Sequence, residues 1–100
     1  MKSMPVEILP IAEEDVRQAM IYIAADNPTA ADNLLDGILS ALQRVSDFPY
    51  SGAETIIGSR RPRTYYRIYV RPYNIYYRIV RDKIVVMRVL HERMDARANL

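Results

Sequence analysis

One histidine and a set of arginines are the residues of this chain that could act on a phosphodiester. His91 is the only side chain whose ordinary pKa lies near neutrality. Cleavage of RNA without a metal needs a base for the 2′-hydroxyl proton, an acid for the leaving oxygen, and cations that stabilise the transition state. His91 as the acid or base, with Arg67 and Arg88 holding the phosphate, is therefore a candidate catalytic set.

A simpler role for His91 is also consistent with its position. It follows a run of strand-forming residues, where a histidine can hydrogen-bond and order the residues that come after it. We prefer this second interpretation, which makes the chain a binding protein rather than an enzyme. A lone histidine and scattered carboxylates do not have the spacing of a metal site, and three glycines are too few for a phosphate-cradling loop. We therefore expect neither a metal nor a cofactor.

The charges of the chain are divided between its two halves. Residues 1–50 contain three basic and eight acidic residues, a net charge of −5, and residues 51–100 contain eleven basic and four acidic residues, a net charge of +7. A basic surface built by the second half would suit an acidic protein or a nucleic acid. The candidate binding arginines are Arg60, Arg61, Arg63, Arg78, Arg93 and Arg97.

The elements that must position these residues follow from hydrophobic periodicity. Residues 6–9 predict a short strand that Pro10 ends, and residues 11–25 have the three- and four-residue spacing of an amphipathic helix. Asn27 and Pro28 are typical of a helix start and predict a second helix that runs to about residue 45 or 46. The short break between the two helices indicates an antiparallel hairpin.

The second half of the chain is predicted to form a sheet. Residues 47–64 are rich in turn formers and predict an irregular segment. Residues 66–70, 73–80 and 84–90 alternate with the period of strands joined by tight turns. The predicted fold is α+β, in the order β-α-α-β-β-β, with an antiparallel meander, an N-terminal strand and the helical hairpin on one face.

The last predicted strand is apolar on both sides. Strict alternation places Ile84, Val86 and Leu90 on one face together with Arg88. That face is too apolar to remain in water, so we expect a loop or a partner to cover it. Ile84, Val86 and Leu90 are therefore candidate contacts of a partner protein.

Several segments, taken in chain order, resemble the RelE/ParE superfamily of toxins. In the first half they are Ile8-Leu9-Pro10-Ile11-Ala12-Glu13-Glu14-Asp15, Tyr22-Ile23-Ala24-Ala25-Asp26-Asn27-Pro28-Thr29-Ala30-Ala31 and Phe48-Pro49-Tyr50-Ser51-Gly52. In the second half they are Tyr66-Arg67, Tyr73-Asn74-Ile75-Tyr76-Tyr77-Arg78 and Arg88-Val89-Leu90-His91-Glu92-Arg93-Met94-Asp95. The helical turn and the ending are most similar to the ParE, or plasmid-stabilisation, branch.

The resemblance implies the toxin of a type II toxin–antitoxin pair. It implies a cognate ParD-like or RelB-like antitoxin, operator DNA reached only through that antitoxin, and DNA gyrase as the target. The alternative is a RelE-like endonuclease that cuts mRNA on the ribosome. Against that alternative, Asn74 stands about where the nuclease branch has a cation, Lys2 and Lys83 are the only lysines, and the chain lacks a terminal tyrosine. A third possibility is a non-toxic module that only titrates an antitoxin.

Six tyrosines between Tyr65 and Tyr77 could stack on bases. Tyrosine is also a common strand residue, and we prefer the interpretation that these side chains pack within the sheet.

The length of the chain indicates one domain over residues 1–100. No stretch has the length and hydrophobicity of a membrane span or of a signal peptide. We therefore expect a cytoplasmic protein that does not enter a membrane.

Overall fold

The computed structural model describes residues 3–100 as a single mixed sheet with a helical hairpin. In chain order the elements are β1 (Val6–Ile8), α1 (Pro10–Ala24), α2 (Pro28–Asp47), β2 (Ala53–Ile57), β3 (Arg63–Val70), β4 (Tyr73–Val80), β5 (Lys83–His91) and α3 (Ala96–Asn99). The predicted α+β class and the order of a strand, two helices and a meander are confirmed. β2 and α3 are additional to the prediction.

The five strands lie in the order β1-β5-β4-β3-β2. β2 to β5 are antiparallel to one another, and β1 is parallel to β5, with Val6 opposite Ile84. The helical hairpin is part of the long connection that a parallel pair requires. This arrangement leaves β1 and β2 at the two edges of the sheet.

The helices begin where the sequence indicates. Proline stands at the first position of both helices, where a missing N–H costs no hydrogen bond. The Asn27 side-chain oxygen accepts a hydrogen bond from the backbone N–H of Ala30 at 3.1 Å, which confirms its predicted role as the cap of α2. The predicted helix ends are accurate to within one or two residues.

Both helices pack on one face of the sheet, which we call the helix face. Its core consists of Ala12, Ala19, Leu34, Ile38, Ala41, Leu42, Val45, Tyr73, Ile75, Tyr77, Ile84, Val86 and Val89. α2 approaches β3 closely at Gly37, where an added Cβ would lie 2.9 Å from a Val70 methyl carbon. Glycine is therefore needed at this position for close packing of helix on sheet, although it weakens the helix itself.

β2 corrects the prediction that residues 47–64 are irregular. Two turn formers, Gly52 and Gly58, flank a run of only five residues, Ala53–Ile57, most of which are exposed. So short a run gives little periodicity to recognise. It becomes a strand because it pairs in regular register with β3, from Ala53 opposite Arg67 to Ile57 opposite Arg63.

A β-bulge at Met87 changes which residues of β5 share a face. Tyr77 pairs with Val86, whereas its neighbour Tyr76 pairs with Arg88, so Met87 is left as the extra residue. The alternation of β5 is therefore reversed after Met87. A one-residue shift of this kind moves every later side chain to the other side of the sheet.

This bulge overturns the prediction that Ile84, Val86 and Leu90 form one apolar face for a partner. Ile84 and Val86 lie in the core beneath the helices and are 0% and 1% exposed. Leu90 lies on the opposite side and is 1% exposed, on a face that residues 95–100 of the same chain cross. The folded chain covers all three residues itself, so none of them offers a surface contact.

Hydrogen bonds of the Tyr77 hydroxyl hold the α2–β2 connection against the core. Its side chain is fully buried, and its hydroxyl donates to the carbonyl of Pro49 at 2.8 Å and accepts from the N–H of Gly52 at 3.1 Å. Burial is the main reason that the pKa of Tyr77 is raised. The hydroxyl therefore remains neutral and able to donate to Pro49.

We expect Tyr77→Phe to lower the free energy of unfolding by about 1–3 kcal/mol, because two backbone groups lose their partner without a change in side-chain shape. Urea denaturation measures this change. Tyr69→Phe is the matched control, since that hydroxyl bonds Glu92 at the surface and its loss should alter stability little. Equal midpoints for wild type and Tyr77→Phe would contradict the assignment.

Candidate interaction site

The face of the sheet turned away from the helices, which we call the second face, carries the arginines of the strands. Pairing across β3, β4 and β5 places Arg67 opposite Tyr76, and Tyr76 opposite Arg88. Because alternate residues of a strand share a face, Arg63 and Arg78 lie on this side as well. The prediction of a basic surface built by the second half is thus realised on one side of the sheet.

His91 lies on the helix face. It is opposite Tyr73 in the sheet, and the two rings meet edge to face with centroids 5.4 Å apart. Its Nδ1 accepts a hydrogen bond from the backbone N–H of Arg93 at 3.2 Å. A cavity of about 330 Å³, lined in part by Tyr22 and Met94, opens beside it. His91 therefore orders the turn after β5, as the simpler interpretation of its position predicts.

The candidate catalytic residues are not brought together. Arg67 projects from the second face, and His91 from the helix face, so the sheet itself separates them. Arg88, on the second face of β5, is engaged by a carboxylate of the first helix. The geometry of these three residues does not form a cleft in which an acid or base and two cations could surround one phosphate.

The partner of Arg88 is Asp15 of α1. The Arg88 Nε and one terminal nitrogen donate to the two Asp15 carboxylate oxygens at 2.8 and 2.9 Å, and the side chains are only 17% and 14% exposed. Asp15 also accepts from the backbone N–H of Val89 at 2.9 Å, and Arg88 donates to the carbonyl of Asn99 at 3.1 Å. The hydrogen bond with Asp15 is the main reason that the pKa of Arg88 is raised.

The Arg88–Asp15 ion pair connects α1, β5 and the C-terminal segment. β1 covers the edge of β5 only from Ile84 to Val86. Beyond that point, Asp15 supplies an acceptor for the N–H of Val89, which β1 is too short to reach. The same ion pair holds the C-terminal segment through Asn99. Arg88 is therefore a structural residue in the described chain.

The C-terminal segment folds back over the second face. The Asp95 side chain accepts from the N–H of Arg97 at 3.0 Å and caps the short helix α3. A cavity of about 340 Å³ lies between this segment and the sheet, and Arg67, Tyr76 and Arg97 contribute to its walls. The signal for α3 in the sequence is only an aspartate followed by four helix-compatible residues, which is too weak to predict it.

The remaining candidate arginines lie in two connecting segments and on β4. Arg60 and Arg61 lie in the loop between β2 and β3, and Arg93 lies in the turn after β5; all three are exposed. The Arg78 guanidinium lies 5.8 Å from the centroid of the Tyr65 ring, and its buried Nε has no hydrogen-bond partner among residues 3–100. Arg78 is therefore held by packing rather than by a carboxylate.

Few cations of the described residues are held in ion pairs. Within the described residues the ion pairs are Arg17–Glu14, Lys83–Glu7 and Arg88–Asp15. Arg63, Arg67 and Arg97 are exposed and take part in none of these pairs. They are the guanidinium groups of the second face that remain available to an external anion.

Two further properties concern the described part of the chain as a whole. No three histidine, aspartate or glutamate side chains of residues 3–100 come together as potential ligands of a metal ion. In that same range, none of the helices combines the length and hydrophobicity that crossing a bilayer requires.

The fold and the site define a small α+β domain with a helical hairpin on one side of its sheet and uncompensated arginines on the other. Residues 6–96 match the family model described as the ParE toxin of the type II toxin–antitoxin system parDE. The chain belongs to the ParE toxin family and is a toxin of the type II toxin–antitoxin class. The predicted resemblance to the ParE branch is confirmed.

A solved structure supports the same fold. The chain is similar to one from the chromosomal ParDE TA system of P. aeruginosa, with a TM-score of 0.68 and 16% sequence identity over 89% of this chain and 96% of that chain. At this identity the similarity shows the fold. A search of curated proteins gave no significant match.

Proposed function

We propose that this toxin acts by binding and poisoning DNA gyrase, without catalysis of its own, and that a cognate antitoxin neutralises it. The observation that carries the non-catalytic part is the separation of His91 and Arg67 by the sheet, together with the engagement of Arg88 by Asp15. General acid–base catalysis requires the reacting groups within hydrogen-bond reach of one substrate. Gyrase as the target follows from the resemblance to the ParE branch.

The aromatic residues of the second face also argue against RNA as the substrate. Tyr65 and Tyr76 are 4% and 6% exposed, so their rings have little area on which a base could stack. Tyr69 is 51% exposed and its hydroxyl bonds Glu92, so it is the tyrosine of these three whose ring remains accessible. This supports the prediction that most of these tyrosines serve packing.

The antitoxin is the partner that the charge distribution suits. The uncompensated arginines of the second face would attract an acidic segment. We propose a ParD-like protein in this role, through which alone the pair would bind its operator DNA. Gyrase and ribosomes both lie in the cytoplasm, which is where we expect the toxin to act.

The target is tested with purified toxin in two assays, gyrase-catalysed DNA supercoiling and translation of a reporter mRNA. We expect loss of supercoiling, with gyrase trapped on cleaved DNA, and an intact reporter. Cleavage of the translated mRNA with normal supercoiling would instead identify a ribosome-dependent nuclease. A chain that does not arrest growth in a host without antitoxin would be the non-toxic module.

His91→Ala and Arg67→Ala separate the two mechanisms at the level of residues. We expect both variants to retain growth arrest within about threefold of wild type. In a nuclease, loss of His91 as the general acid or base would instead reduce activity by about 10²- to 10⁴-fold, and loss of Arg67 would remove a contact to the phosphate. Growth curves after induction measure the effect, and circular dichroism checks the fold. Complete loss of toxicity in both folded variants would refute the non-catalytic mechanism.

A further inference from the structure

The turn after β5 is closed by a hydrogen bond to a side chain that can titrate. The Nδ1 of His91 accepts from the backbone N–H of Arg93, two residues further along the chain, at 3.2 Å. An asparagine or aspartate side chain makes the same bond in an Asx turn. An imidazole nitrogen accepts a hydrogen bond only while it carries no proton, so this bond requires the neutral ring with its proton on Nε2. His91 therefore closes the turn in only one of its two protonation states.

Two backbone hydrogen bonds complete the turn and do not involve the imidazole. The N–H of Glu92 donates to the carbonyl of Pro72 at 2.8 Å, and the N–H of Met94 donates to the carbonyl of His91 at 2.9 Å. Beyond Met94 the chain continues into α3, beside the second face. Among these three bonds, only the one to Nδ1 is lost when a histidine becomes charged, a change that falls between about pH 5 and 8 for this residue type.

The groups that face the His91 ring from other elements are already engaged or neutral. From α1, Asp15 and Tyr22 line the same cavity, and Asp15 is bonded by the Arg88 guanidinium. From β4, Tyr73 meets the ring edge to face. Burial raises the pKa of Tyr73, so that hydroxyl stays neutral while a histidine titrates. None of these groups offers a free carboxylate to a protonated imidazole.

The charged groups of the turn itself do not replace the lost bond either. Glu92 accepts from the Tyr69 hydroxyl at 2.8 Å, and Asp95 caps α3. None of the ion pairs within residues 3–100 includes His91. A proton on Nδ1 would face the Arg93 N–H as a second donor, on a residue that is itself a cation. Protonation therefore opens the turn instead of giving it a new partner.

We propose that the turn at residues 91–94 is a pH-sensitive switch that sets the order of the C-terminal segment. While the ring is neutral, Nδ1 holds the Arg93 N–H, and residues 95–100 stay folded beside the second face. Protonation removes that acceptor and increases local opening by about three- to tenfold, the contribution of a typical hydrogen bond. The two backbone bonds remain, so the segment becomes more mobile while the sheet and helices stay folded.

Nuclear magnetic resonance of the full chain tests each step. Long-range correlations within the ring report the tautomer of His91, and we expect the proton on Nε2 at about pH 8. Between about pH 8 and 5 the Arg93 amide should shift with the same midpoint as the His91 ring. Backbone order parameters of residues 95–99 should fall over this range, while those of β4 stay constant.

Two substitutions hold the turn in one state at every pH. His91→Asn offers Oδ1 as an acceptor for the same bond from the Arg93 N–H, and it does not titrate. His91→Leu removes the acceptor. Both variants lose the ring contact with Tyr73, so that loss is matched between them. At about pH 8 the leucine variant should have the mobile segment that wild type has at about pH 5, whereas the asparagine variant should be ordered at both values.

Three results would overturn the proposal. A His91 ring with its proton on Nδ1 at about pH 8 could not accept the bond. Order parameters that stay constant while the ring titrates would show that the segment does not respond. Loss of order at low pH in the asparagine variant would assign the effect to another group, such as Asp15. None of these measurements involves gyrase or toxicity, so the supercoiling assay and this proposal succeed or fail independently.

Discussion

Asp15→Ala is expected to destabilise the protein more than the loss of either of the other two ion-paired carboxylates of residues 3–100, Glu7 and Glu14. The substitution leaves the Arg88 guanidinium unpaired at 17% side-chain exposure and removes the acceptor of the Val89 N–H. Breaking a largely buried pair by removing one partner costs roughly 3 kcal/mol. For a domain of this length that corresponds to a fall in Tm of about 12–24 °C, measurable by thermal unfolding.

Glu14 provides the matched control for Asp15. It is the neighbouring carboxylate of α1, and its hydrogen bonds from Arg17 and then from Gln18 lower its pKa from 4.5 to about 2. A lowered pKa favours the fold at pH values above 4.5, and this contribution is lost as the pH falls toward about 2. The pair is exposed to solvent, so at pH 7 Glu14→Gln should change the Tm little.

A second substitution distinguishes an unpaired charge from a lost packing contact. Adding Arg88→Met to Asp15→Ala removes the cation that the first change leaves without a partner. The double variant should therefore recover part of the lost stability. A wild-type Tm for Asp15→Ala alone would show that the pair contributes nothing, and it would remove the structural explanation for Arg88.

Removal of the C-terminal segment is expected to reduce toxicity more than any other change to the chain. A chain that ends after Met94 loses α3 together with Arg97 and the Asn99 carbonyl that Arg88 holds. If this segment contacts the target, its removal should lower toxicity by about 100-fold, the equivalent of about 2.7 kcal/mol of binding free energy. Growth arrest and gyrase inhibition are the measurements.

A point variant keeps this test informative if truncation disturbs the fold. Met94 is 45% exposed after the turn that His91 orders, so Met94→Asp changes the surface without emptying the core. We expect it to reduce gyrase inhibition by about tenfold while antitoxin binding and the Tm are unchanged. Full activity of both variants would place the target contacts outside residues 94–100.

The local elements of the fold can be predicted because their signals are local. Asn27 and Pro28 mark the start of α2, and the bond from the Ala30 N–H to Asn27 shows why. β4 spans the predicted range, Tyr73–Val80. Its alternation is regular, and tight turns bound it on both sides, with Arg81 and Asp82 at positive φ in the turn to β5.

The site cannot be predicted in the same way, because it depends on register. The alternation of β5 suggests that Ile84, Val86 and Leu90 share a face, and the bulge at Met87 separates them. Nothing in the composition around Met87 marks a bulge, since the extra residue is set by pairing with β4. For the same reason the short strand β2 emerges only through its pairing with β3.

The sequence by itself determined the helical hairpin, the meander, the basic second half and the membership of the toxin family. Helix caps, periodicity, charge and motifs all depend on residues that are close together in the sequence. Only the tertiary structure decided which arginines are free. It paired Arg88 with Asp15, which is distant in the chain, and it set His91 and Arg67 on opposite sides of the sheet. Contacts between residues far apart in sequence follow from how the elements pack, and that packing determines which chemistry the surface can perform.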